Sequence, residues 1–359
     1  MSGRSARGVW WRTHDALPGR AVWLAALVAG AALAFAGCSR TGPAGGSAAS
    51  KAASSVTVAA APASSSAAAP SSPVALPSPP CVPAKPHAAG SVDVRIRSGG
   101  LDRHYILHVP PSYDGTKKLP LVINLHGAGS NALQQAFYSG FQKKADAEGF
   151  ITVTPDGTGT PRAWNFIPVP GGADDVGFIR DALDRTEAAL CVDPARVYAT
   201  GISSGAAMAV RLACSLQDRI DAIGVVAALW YPPDCPTAKP MPVLEFHGTK
   251  DPLVPFDGGT VANSGIPAPS VEGAAAAWAK ADGCEPTPAK MQLTPHVRTL
   301  AYSECRGYVA VELFIVEGGG HTWPGAAADV TALGETTHEV NATDEIWQFF
   351  IAQMPGVTR

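Results

Sequence analysis

The sequence predicts an α/β domain whose mostly parallel central sheet carries helices on both faces, and three observations support that expectation. Short apolar runs alternate with longer helix-favouring stretches from about residue 92 onward, the pattern that βαβ units leave in a chain. Leu119–Leu125 is a continuous apolar run, as suits a strand buried on both faces. Gly201-Ile202-Ser203-Ser204-Gly205 lies between the β-rich Arg196-Val197-Tyr198-Ala199-Thr200 and the alanine-rich stretch 206–213. That context makes Ser203 the apex of a sharp strand-to-helix turn, with glycines removing the Cβ atoms that would clash in it.

Taken in order, Val92–Arg97 and Tyr105–Val109 flank Gly99-Gly100 and read as an opening hairpin. The Leu119 strand follows, then a helix over Ala132–Glu148 and a strand over Ile151–Thr154. Asp174–Leu190 has Val176, Ile179, Leu183 and Leu190 near one face of a helix. Val197–Thr200 feeds the Ser203 turn. Ile223–Leu229, Val243–Phe246 and Val311–Val316 supply further strands, and Gly273–Ala281 and Asp344–Met354 further helices.

The residues ahead of this domain read differently. Arg4, Arg7, Arg12 and Arg20 lead into the apolar run Ala21–Ala36 and then Gly37-Cys38, which reads as an export signal over residues 1–37; the final cysteine makes it resemble a bacterial lipoprotein signal with Cys38 as the lipidated residue, and an ordinary cleaved signal or an uncleaved single anchor is the alternative. Residues 38–90 are mainly Ala, Ser, Pro and Gly, too poor in apolar bulk to offset their ordering entropy, and are expected to form a disordered tether. Residues 91–359 form the expected catalytic domain. Removing residues 1–37 takes away four Arg and one Asp and leaves 23 basic against 29 acidic residues, a balance that argues against nucleic acid or polyanion partners. Cys81, Cys191, Cys214, Cys235, Cys284 and Cys305 remain in a compartment where disulfides persist. None has C-x-x-C or Cys/His ligand spacing, so the reading is staples with no metal and no cofactor; six cysteines allow fifteen pairings.

In such sheets chemistry collects at the carboxyl ends of the strands. Four loops leave strands with suitable residues. Leu125-His126-Gly127-Ala128-Gly129 follows the Leu119 run, where an oxyanion-hole loop belongs, and His126 reads as a residue bonded to its neighbours to shape it. The Ser203 turn offers the Ser204 N–H as a second donor. His247-Gly248-Thr249-Lys250-Asp251 brings a carboxylate past the Val243 strand, and Gly318-Gly319-Gly320-His321 follows the Val311 strand. A serine needs a histidine to take its proton and a carboxylate to orient that histidine. Ser203, Asp251 and His321 stand in the chain order of α/β-hydrolases; Asp257 is the rival acid, and His247 and His338 are the rival bases.

The segments LHGAGSNA, GISSGAAMA, EFHGTKDPLVP and GGGHTWPG, with Asp174-Asp175-Val176-Gly177-Phe178-Ile179, resemble the secreted esterases grouped as polyhydroxybutyrate depolymerases and feruloyl esterases. Within that α/β-hydrolase group they are most similar to the LpqC-like lipoprotein branch. The likeness runs from about Val92 to Gln353. It implies Ser203 as nucleophile, Asp251 as acid and His321 as base, with the Ala128 and Ser204 amides as the oxyanion hole. Many relatives have cysteine at Ala128 and glycine at Ala206; only the backbone donor matters at the former. Trp164 and Trp323 match aromatics lining the family's substrate site, and core packing is the alternative for both. The resemblance further implies the bridges Cys284–Cys305, Cys214–Cys235 and Cys81–Cys191. The expected protein is a monomeric, exported cell-envelope or extracellular serine esterase, touching membrane only through its lipid, with feruloyl-type aryl esters or short polyester oligomers as substrates. A depolymerase acting on polyhydroxybutyrate polymer is the alternative, and a catalytically idle carbohydrate- or polymer-binding surface protein is the second.

Overall fold

The chain enters its sheet through an antiparallel hairpin, β1 (Gly90–Ser98) and β2 (Leu101–Val109). The computed structural model describes residues 79–353 apart from Thr237, so the expected signal, Cys38 and most of the expected tether lie outside the described residues. After the hairpin come β3 (Leu119–Leu125), α1 (Ala132–Ser139), α2 (Phe141–Glu148), β4 (Ile151–Pro155), α3 (Asp175–Ala189), β5 (Val192–Ile202), α4 (Ser204–Ser215), β6 (Ala222–Val226) and β7 (Val243–Gly248). A small pair, β8 (Gly259–Thr260) and β9 (Pro267–Ala268), precedes α5 (Val271–Asp282). The chain then forms β10 (Ala289–Thr294), β11 (Val297–Tyr302), β12 (Val311–Val316) and α6 (Ala342–Ala352).

Among the described residues the main sheet has the order β1-β2-β4-β3-β5-β6-β7-β12-β11-β10. The six strands from β4 to β12 run parallel, and the hairpins at both edges are antiparallel. The parallel strands are buried on both faces, and their side chains alternate between two cores. Leu121, Ile123 and Leu125 of β3 and Val311, Leu313 and Ile315 of β12 join Phe178, Met208 and Trp278 of α3, α4 and α5. Val122, Phe314 and Val316 face the other way, onto Phe141 of α2 and Ile346, Trp347 and Phe350 of α6. The loops that follow β3, β5, β6, β7 and β12 therefore emerge together at one end of the sheet.

Four expectations need correction. The helix expected over Ala132–Glu148 is two helices, because Gly140 adopts a left-handed cap (φ 70°) that ends α1. The strand expected to reach Leu229 stops at Val226: Ala227 turns to φ 60° and the Leu229 N–H bonds to the Glu245 side chain instead of a neighbouring strand. β10 and β11 were not anticipated; β10 is a short outer strand in which Ala289, Met291 and Leu293 alternate with polar residues, but nearly all of its residues are exposed. The domain also begins earlier than residue 91. Cys81 N–H bonds to Thr116 O, Lys85 N–H to Gly115 O, and Tyr113 Oη to Lys85 O, so this segment lies along the chain between β2 and β3. Cys81–Cys191 fastens it there, and Cys214–Cys235 and Cys284–Cys305 are the other two bridges.

Candidate active site

β5 delivers Ser203 to a one-residue turn between strand and helix. Ser203 has φ 58° and ψ −124°, a strained conformation for a residue with a side chain, and α4 starts at Ser204. Its N–H is held by Val226 O (2.9 Å) and its C=O by the Ala207 N–H (3.0 Å), so sheet and helix fix the turn from both sides. A Cβ on Gly205 would lie 2.3 Å from Leu125 O and 2.6 Å from His126 O; only glycine lets the elbow sit this close to the β3 loop. The half-buried Ser203 hydroxyl makes no hydrogen bond among the described residues, as is common for nucleophiles without bound substrate.

The β3 loop is shaped by His126. Its Nε2 accepts the Gly157 N–H at 2.9 Å, which leaves Nδ1 to carry the proton and donate to Gly127 O at 2.8 Å. Burial lowers its pKa, so the ring stays neutral and serves as a brace. Gly127 follows, near enough that an added Cβ would stand 3.4 Å from Ser203 Cβ. Ala128 is exposed, and neither its N–H nor that of Ser204 has an intramolecular acceptor among the described residues. Two free amides thus flank Ser203, as an oxyanion would require.

Asp251 and His321 meet across the neighbouring strands. His321 Nδ1 donates to Asp251 Oδ2 at 2.7 Å, and Asp251 Oδ1 accepts the Leu253 and Val254 N–H groups, both at 2.8 Å. Burial raises the Asp251 carboxyl, but the hydrogen bond and charge of His321, the Val254 N–H and the charge of His247 outweigh it, and its pKa is lowered. The two loops can touch because a Cβ on Gly248 would lie 2.2 Å from Gly319 O. The His321 N–H is pinned to Leu333 O at 2.7 Å. Of the rivals, Asp257 is exposed, His338 is an exposed partner of Asp329, and His247 is buried beside Glu245. No group of His, Cys, Asp and Glu among the described residues is arranged to hold a metal.

A second Ser-His-Asp series lies elsewhere. Ser91 Oγ is 2.8 Å from His108 Nδ1, and His108 Nε2 is 2.8 Å from Asp146 Oδ1. Ser91 and His108 are directly opposed in the β1–β2 hairpin, in an ordinary extended strand with no elbow. This series is a cross-strand contact that braces the sheet edge on α2.

The family described as esterase PHB depolymerase matches residues 103–289, about half of the chain. Feruloyl esterase B of Piromyces equi is 34% identical over 61% of this chain, which spans only 42% of that protein's length. Feruloyl esterase C of Emericella nidulans is 30% identical over 70% of this chain and 84% of its own length. The chain belongs to the esterase PHB depolymerase family. An acetyl xylan esterase from Aspergillus awamori superposes with a TM-score of 0.50 at 14% identity, covering 72% of this chain and 98% of that one, and the shared fold is the α/β-hydrolase fold. Ester hydrolysis is the chemistry of this family. The matched segment contains Ser203 and Asp251 and ends before His321, which reaches Asp251 through the 2.7 Å hydrogen bond. The three disulfides put the folded domain in an oxidising compartment outside the cytosol.

Within this esterase fold two expected substrate contacts must be reassigned. Trp323 is fully buried on the α2–α6 side of the sheet, edge-on to Phe141, with its indole N–H on Thr343 Oγ1 at 3.0 Å. Trp164 is 5% exposed, and its indole N–H bonds to His126 O at 2.8 Å. Both rings are packing, and neither presents a free face. The sequence reading missed a half-buried aromatic pair, Phe166 and Trp230, whose rings meet edge-to-face at 6.0 Å. Trp230 Nε1 donates to Ala207 O (3.4 Å), and Phe166 O accepts from Arg211 Nε (2.8 Å), so both border the first turns of α4. The signal was faint: Trp230 follows a strand end in a run, Leu229-Trp230-Tyr231, that reads as strand continuation.

Proposed function

We propose that this protein is an exported serine esterase that cleaves carboxylic esters through an acyl-enzyme on Ser203, and the buried Asp251–His321 hydrogen bond at the same end of the sheet as the elbow is the observation that carries the reading. His321 Nδ1–H is committed to Asp251, which leaves Nε2 as the proton acceptor. Ser203 Oγ attacks the ester carbonyl as Nε2 takes its proton, and the Ala128 and Ser204 amides receive the oxyanion. The tetrahedral intermediate collapses when His321 returns that proton to the departing alkoxide. Water, deprotonated by the same nitrogen, then attacks the acyl-serine and releases the acid. Reaction with a serine-directed phosphonate should modify the peptide carrying Ser203; modification at Ser91 alone, or none, would sink the reading and favour a catalytically idle binding protein.

The proposed substrates are feruloyl-type aryl esters, supported by the names of the relatives and by Phe166 and Trp230, which offer aromatic surface beside α4. Trp230→Ala should lower kcat/KM on methyl ferulate several-fold more than on p-nitrophenyl acetate. One observation favours the polymer alternative. Leu133 and Phe137, one turn apart on α1 just past the oxyanion loop, are 71% and 65% exposed, apolar surface of a kind that suits a solid polyester. Rapid clearing of a polyhydroxybutyrate suspension without release of ferulate would reverse the ranking.

The proposed organisation is residues 1–37 as export signal, Cys38 as lipidated residue and a tether up to the attached segment near Cys81, with the domain acting as a monomer. Cys38→Ser should move the protein from the membrane fraction to the soluble one, and unchanged partition would remove the lipid.

A further inference from the structure

Behind the Asp251–His321 pair lies a second histidine with both ring nitrogens engaged. His247 of β7 has Nδ1 at 2.9 Å from Glu245 Oε1, and Nε2 at 2.9 Å from Val254 O and 3.4 Å from Asp251 Oδ2. A carbonyl oxygen only accepts, so Nε2 carries a proton. Glu245 and His247 point to the same face of the strand, and both side chains are completely buried. Glu245 Oε1 also accepts the Leu229 N–H at 3.0 Å, while Oε2 has no partner among the described residues.

The titratable groups facing His247 are Glu245 on its own strand, Asp251 in the following loop and, across Asp251, His321 after β12; the Phe256 ring lies edge-on at 6.0 Å. A buried carboxylate with no cation is costly. Here two carboxylates flank one imidazole. We propose that His247 is a positioning residue for the catalytic pair: as an imidazolium clamped by Glu245, it donates toward Asp251 Oδ2, the oxygen that also receives His321. The inference rests on the assignment of Ser203, Asp251 and His321 made above.

Electrostatics supports this placement of the proton. Burial pulls His247 toward the neutral ring, but the hydrogen bond and charge of Glu245, the Val254 carbonyl and Asp251 outweigh it and raise its pKa. Burial also raises the Glu245 carboxyl. Both tendencies keep a proton within the pair, and the Asp251 carboxylate on the far side of the ring favours the form with the charge on His247. The proton stays there through turnover. A fixed cation behind Asp251 has two effects: it holds the carboxylate ionised and oriented, and it opposes a second positive charge on His321.

The test is the pH profile of kcat/KM for Glu245→Gln and His247→Gln. Glutamine at 245 keeps an acceptor for the Leu229 N–H while removing the charge, and glutamine at 247 can still donate toward Val254 O. Losing the cation makes protonation of the base easier, so the acid limb should move to higher pH by roughly 0.5 to 1 unit in each variant, and no further in the double variant. A purely structural role would lower the plateau and leave the limb in place, which would overturn the proposal. Nitrogen-15 NMR of the unaltered, histidine-labelled protein gives a check that needs no variant to fold: a buried ring with two protonated nitrogens above pH 7 is expected, and only singly protonated buried rings would overturn it. Turnover surviving in Ser203→Ala would remove the triad assignment itself, whereas phosphonate labelling of Ser203 with an unmoved limb would remove only His247.

Discussion

Ser203→Ala should lower kcat on p-nitrophenyl acetate by about 10^4- to 10^6-fold and leave the thermal unfolding transition where it is. The chemical loss follows from removing the only atom that forms the acyl bond. Stability is preserved for two local reasons. The Ser203 hydroxyl has no hydrogen bond to lose among the described residues, and alanine bears the φ of 58° no worse than serine does. His321→Ala should lose several orders of magnitude as well, but it also strips Asp251 of its partner and leaves a buried carboxylate short of a donor, so it should unfold at lower temperature. Ser91→Ala is the control: its hydroxyl meets a histidine too, yet it lies in the edge hairpin, and turnover should be unchanged. Full activity in Ser203→Ala would end the acyl-enzyme reading.

The parts of this architecture that were legible in the sequence are those where chemistry and crowding leave few residue choices. Gly205 had to be glycine because its α-carbon faces the Leu125 and His126 carbonyls, and the strand and helix on either side of Ser203 carry ordinary propensities. The Asp251 and His321 loops were legible for a related reason: each is a glycine-containing loop that follows a strand at the end of the sheet where loops converge. Trp323 was misjudged because proximity in the chain to His321 says nothing about which face of the sheet a side chain reaches; two residues on, the ring belongs to the α2–α6 core. β10 escaped notice although Ala289, Met291 and Leu293 alternate with Lys290, Gln292 and Thr294, because the run is six residues long, exposed, and lacks the continuous apolar stretch that marks the inner strands. The Glu245–His247 pair was hidden in another way. Alternate polar residues in a buried strand resemble the signature of a half-exposed one, and only the β7 register, with β6 on one side and β12 on the other, shows that both are enclosed.

Asp251→Asn should reduce kcat by about 10^3- to 10^4-fold, less than loss of the serine, with the fold retained. Asparagine has the right shape and the wrong donors. Its Oδ1 must stay on the Leu253 and Val254 N–H groups, because the reverse orientation would set an NH2 against both. Nδ2 then faces His321 Nδ1–H and, on its other side, His247 Nε2–H. Donor meets donor, and His321 relieves the clash by moving its proton to Nε2, the nitrogen that has to accept from Ser203. The residual activity should also shift its pH dependence in a telling direction. Without the carboxylate, the imidazolium loses its counter-charge, so protonation of the base becomes harder and the acid limb of kcat/KM moves to lower pH, opposite to the shift expected for Glu245→Gln. Asp257→Asn, at an exposed position, should change neither rate nor limb. If Asp257→Asn lost activity while Asp251→Asn kept it, the acid would be Asp257, and the buried series from Glu245 through His247 to Asp251 would be packing with no part in the reaction.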